Sequence, residues 1–139
     1  MNNRHYLPLI ARILMSTIFI ISGINKITGW GAMTGYISSM GLPFAPLLLF
    51  GAIVIELVAG IALLVGYRVE LAAGILFIYL IPTTLIFHSF WTAEAAQQQN
   101  QMIHFLKNLA IMGGLLQVMW SGSGAYSVGE SERKAEVAA

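Results

Sequence analysis

The chain has 139 residues, of which 58 % are apolar and 9 % charged, and its net charge is +1. Soluble domains carry about 25 % charged residues, and seven Lys and Arg with six Asp and Glu cannot cover the surface of a soluble globule this small. A soluble enzyme, a disordered protein and a nucleic-acid binder are therefore excluded, which leaves a polytopic helical membrane protein.

The first apolar run, residues 7–28, is long enough to cross a hydrocarbon core of about 30 Å. It carries Arg12 and no small-residue cleavage site, so it reads as a span and not as a cleaved signal. The next segment holds Met33, Tyr36, Ile37 and Met40 at helical spacing, which predicts a short interfacial helix between spans one and two. Span two is expected over residues 46–65, opened by Pro46 and closed by Gly66. A tight hairpin leads to span three, residues 71–90, with Pro82 inside it. A Gln-rich link then precedes span four, residues 102–119. Continuous runs of this length argue against a β-barrel, and a helix satisfies its own backbone in lipid. The expectation is an all-α, four-transmembrane-helix bundle forming one domain over residues 1–129, with a flexible charged tail over 130–139.

Lys and Arg near the span ends set the orientation. With both termini cytoplasmic, Arg4, Arg12, Arg68, Arg133 and Lys134 lie inside, and Lys26 and Lys107 outside. Trp30, Tyr36 and Trp91 then form the outer aromatic belt, and Tyr6, Tyr67 and Trp120 the inner one.

Polar groups within spans are costly and usually face the bundle interior with a partner. Glu56 is the only acid within an expected span, and Arg12 is the base nearest to it in expected depth. A structural Arg12–Glu56 ion pair is one reading; a Glu56 that carries a proton is the other. Near the outer face, Lys26, His88, His104, Lys107 and Asn108 come to similar depth with no acid among them. They read as a vestibule for an anionic or carbonyl-bearing ligand, a quinone or an anionic lipid head group. The alternative has the lysines snorkelling to head groups and His88 capping its helix. His88 is also a candidate proton carrier. No His or Glu spacing makes a metal site, and with no Cys any electrons must sit on a bound cofactor or a partner.

Arg12, the run Ser22-Gly23-Ile24-Asn25-Lys26, Ser39-Met40-Gly41-Leu42-Pro43, Glu56 with Gly60 and Gly66, His88-Ser89-Phe90-Trp91 and Phe105-Leu106-Lys107-Asn108 occur in an order that resembles the DoxX family of small prokaryotic inner-membrane proteins. The resemblance covers roughly residues 7–129, with Ser123 where proline is frequent and Gly129 near the place of a usual aspartate. It implies a four-helix bundle in the cytoplasmic membrane and an association with quinone-linked redox chemistry. Three functions remain in view: a quinone-interacting redox component, a non-enzymatic scaffold or partner subunit for a membrane or redox protein, and a transporter of a small solute or proton. Catalysis is left open, as is homo-oligomerisation through the glycine-bearing helix faces.

Overall fold

The computed structural model describes residues 3–129; the expected charged tail, with Arg133 and Lys134, lies outside them. A 3₁₀ turn, Asn3–Tyr6, leads into α1 (Leu7–Thr28), α2 (Trp30–Ser39), α3 (Ala45–Val65), α4 (Val69–Phe87) and α5 (Ala95–Ser121). α1, α3, α4 and α5 are long and apolar enough to cross a membrane.

Local sequence explains the boundaries. Pro8 and Pro46 sit in the first turns of α1 and α3, where the missing N–H costs nothing. Gly66 ends α3 with φ of 78°, and the Gly66 and Tyr67 amides donate back to Leu63 and Ala62 carbonyls. This is the left-handed cap that favours glycine. α4 stops at Phe87, earlier than expected, and α5 begins at Ala95, so the Gln-rich stretch is helical and not a loop.

Two antiparallel pairs, α1 with α3 and α4 with α5, join through α3 and α4. Gly23 and Gly60 let α1 and α3 approach: a Cβ at Gly23 would lie 2.7 Å from Leu57, and one at Gly60 3.2 Å from Ile20. Leu63, Val69, Ala73, Leu76 and Leu115 make the fully buried centre. Leu14, Phe50, Val58 and Ile78 point outward, as expected of helices solvated by lipid.

The α1–α3 register has a consequence for depth. Residues 23 and 57, and 20 and 60, face each other. By that register α1 stops about 10 Å short of the start of α3, at 1.5 Å per residue. α2 fills the gap. Its Ile37 packs with Ala45, Leu49 and Ile53 of α3, against Met33, Leu42 and Phe87. Trp30, Tyr36 and Trp91 are exposed at this end of the bundle, and Tyr6, Tyr67 and Trp120 at the other.

Candidate functional site

The inserted α2 opens a cavity of about 540 Å³ between α2, α3 and α4, with the end of α1 at its side. Leu47, Leu48, Ile55, Pro82 and Ile86 contribute to apolar walls. Five side chains on the wall are polar or ionisable: Lys26, Tyr36, Tyr79, Thr83 and His88. Such a balance of apolar wall and few polar groups is typical of small-molecule sites.

Lys26 is not the free outer cation that its place near the end of span one predicts. Its Nζ lies 3.0 Å from both carboxylate oxygens of Glu56 and donates to Ser22 Oγ at 2.6 Å. Tyr79 Oη donates to Glu56 Oε1 at 2.8 Å. Glu56 is 4 % exposed and sits behind Lys26 and Tyr79, which reach the cavity. Ser22, Lys26, Glu56 and Tyr79 thus tie α1, α3 and α4 together at one level.

The expected Arg12–Glu56 pair is corrected accordingly. Counted along the helices from the observed register, position 12 is about 18 Å from Glu56 and position 26 about 3 Å. Depth read from the span ends misled because α3 overshoots α1. Arg12, 1 % exposed, instead donates to the backbone: to Leu64 O at 2.9 Å, Tyr126 O at 2.8 Å and Ala125 O at 3.4 Å. It fastens the segment after α5 across the ends of α1 and α3, where Tyr126 stacks on Tyr6 with centroids 5.3 Å apart.

The five-residue vestibule is also divided. Lys26 and His88 line the cavity, while His104, Lys107 and Asn108 do not. His88 and His104 stack with ring centroids 5.2 Å apart, and the Lys107 ammonium donates to His104 Nδ1 at 3.0 Å. His88 Nδ1 donates to Gln101 Oε1 at 2.9 Å, since an amide oxygen only accepts. Asn108 is buried and donates to Thr84 Oγ1 at 3.0 Å, an α4–α5 tie that asks for no ligand. Lys26, expected in an acid-free group, is paired with the acid Glu56.

Tyr79 and Thr83 line the cavity, and composition and motif order do not announce them. One signal was present: a tyrosine at the middle of an apolar span needs a partner for its hydroxyl, and Glu56 is the acid available to it.

The DoxX family model matches residues 7–89. Two Escherichia coli K12 proteins are similar over most of their length. Inner membrane protein YqjF is 38 % identical over 86 % of this chain and 87 % of its own. Inner membrane protein YphA is 34 % identical over 90 % of this chain and 89 % of its own. A Schizosaccharomyces pombe Surfeit locus protein 4 homolog is 25 % identical over 95 % of this chain but 39 % of its own. No solved structure matches. The segment that carries Arg12, Lys26, Glu56, Tyr79 and His88 lies wholly within the matched region, and the chain belongs to the DoxX family.

Proposed function

We propose that this chain is a quinone-interacting component of the bacterial inner membrane, with both termini cytoplasmic and the cavity in the outer half of the bilayer. One observation carries the reading: an apolar cavity of about 540 Å³, walled by membrane-spanning helices, whose few polar groups include a lysine and a tyrosine held by a buried acid. A flat ring with oxygen substituents and an apolar tail fits that chemistry, with the ring against Lys26 and Tyr79 and the tail along Leu47, Leu48 and Ile86. His88, on the wall, is the residue placed to exchange a proton with a ring oxygen. Glu56 serves to hold Lys26 and Tyr79 in position. The role proposed is binding, with electrons supplied or accepted by a redox partner.

The test is organic extraction and mass spectrometry of protein purified in mild detergent. Gly51 lines the cavity, and a Cβ added there meets nothing within 4 Å. Gly51→Leu therefore fills the site without a backbone clash. The expected result is quinone or quinol near stoichiometry in the parent and in Lys107→Ala, and its loss in Gly51→Leu. A parent free of quinone, or equal retention in Gly51→Leu, overturns the proposal; a phospholipid in its place does the same.

A further inference from the structure

Four of the five polar side chains on the cavity wall, Lys26, Tyr79, Thr83 and His88, already use hydrogen-bond donors within the protein. A lysine ammonium has three N–H donors and no acceptor. Lys26 has three partners for them: Ser22 Oγ at 2.6 Å and the two Glu56 oxygens at 3.0 Å. The single proton of Tyr79 goes to Glu56 Oε1 at 2.8 Å. That of Thr83 goes to the Tyr79 carbonyl at 2.8 Å. The Tyr36 hydroxyl is directed at the Phe87 carbonyl at 3.5 Å, the longest of the set. His88 donates from Nδ1 to Gln101 Oε1 at 2.9 Å, which leaves Nε2 of the neutral ring as an acceptor. What the wall around Glu56 has left to offer is acceptor capacity: lone pairs on Tyr79 Oη and Thr83 Oγ1, with His88 Nε2 beside them.

We propose that the cavity selects an amphiphile that donates a hydroxyl, of the phenol or quinol class, over one that presents only carbonyl or ether oxygens. The inference rests on the reading of the cavity as a quinone-class site and names the form it prefers. A ligand hydroxyl donates to Tyr79 Oη and leaves the network intact. A carbonyl must draw a proton from Tyr79 or Lys26 away from the buried Glu56 carboxylate. Hydrogen bonds to a carboxylate are charge-assisted and stronger than those to a neutral carbonyl, so that exchange opposes binding. An ether accepts as a carbonyl does and gains nothing from the wall. Tyr79 is then a specificity-determining residue.

The experiment measures dissociation constants under anaerobic conditions for three probes: a decyl-substituted benzoquinol, the matching benzoquinone, and the dimethyl ether of that quinol. The parent, Gly51→Leu, Tyr79→Phe and Thr83→Val proteins are titrated in mild detergent. In the parent the quinol binds about tenfold or more tightly than either other probe, the difference expected of one well-made hydrogen bond. Tyr79→Phe reduces that advantage to about threefold or less, on the same scale, without changing the affinity of the dimethyl ether. Thr83→Val leaves Glu56 and its partners in place and reduces the advantage less. Equal affinity for quinol and quinone, both lost in Gly51→Leu, overturns the preference and leaves the quinone-class site standing. A quinone bound more tightly than the quinol overturns it as well, as does an undiminished quinol advantage in Tyr79→Phe. Binding of no probe above the level seen in Gly51→Leu overturns both the preference and the site.

Discussion

Glu56 has few ways to be satisfied at its depth. It is 4 % exposed, and its oxygens accept from Lys26 and Tyr79. Removal of one partner of a buried pair leaves the other charge uncompensated, at a cost of about 3–5 kcal/mol. Lys26→Met is therefore expected to destabilise the bundle by an amount in that range, less a discount for the 19 % exposure of the lysine side chain. Lys26→Met/Glu56→Leu is expected to recover part of the loss, because a pair replaced by apolar residues leaves no orphan charge. Arg12→Leu/Glu56→Leu should show no such recovery, since Arg12 bonds to backbone carbonyls. Thermal unfolding of the single and double variants in one detergent checks this. Recovery in the Arg12 double variant and none in the Lys26 double variant would sink the observed pairing.

Two elements set the geometry around these residues, and they differ in how far the sequence reveals them. The Met33–Ile37 stripe marks α2 as a helix, and Ile37 is indeed the buried residue of that helix. Its docking against the first half of α3 was not legible. Helical periodicity says which face is apolar, not which neighbour covers it or at what depth. That single unknown displaced the ion pair from Lys26 to Arg12 and concealed Tyr79. The segment after α5 is the second element. Arg12 grips it through Tyr126 and Ala125 carbonyls, and the Gly129 amide donates to Gly66 O at 3.0 Å. Hydrogen bonds from a charged donor contribute about 1.5–3 kcal/mol each. Arg12→Met should thus lower amide protection across residues 122–129 by about tenfold or more, with the α1–α3 pair still formed. Hydrogen exchange read by mass spectrometry resolves that peptide. Unchanged protection there would show that the segment is held by other contacts.

At the scale of the whole molecule, the four spans and their order were readable because each is a continuous apolar run of crossing length, a signal that needs no tertiary information. Orientation rests on charge at the two ends, and the structure changes how that charge is counted. Arg12 is buried against carbonyls and Lys26 is bound to Glu56, so neither is free to meet lipid head groups. Set aside, they leave Arg4 and Arg68 on the side assigned to the termini, with Arg133 and Lys134 of the sequence beyond the described residues counted with them, and Lys107 on the other. The count moves from five against two to four against one, an excess of three either way, and the positive-inside rule applied to it predicts cytoplasmic termini. The chain has no cysteine, which makes single-cysteine labelling direct. Thr92, between α4 and α5, and Ser39, at the end of α2, are exposed at the cavity end; Tyr67 and Glu70 are exposed at the other. In intact spheroplasts, Thr92→Cys and Ser39→Cys should react with a membrane-impermeant maleimide. Tyr67→Cys and Glu70→Cys should react only after the membrane is permeabilised. The opposite pattern would put the cavity in the cytoplasmic half, and any ligand would then exchange its protons with the cytoplasm through His88.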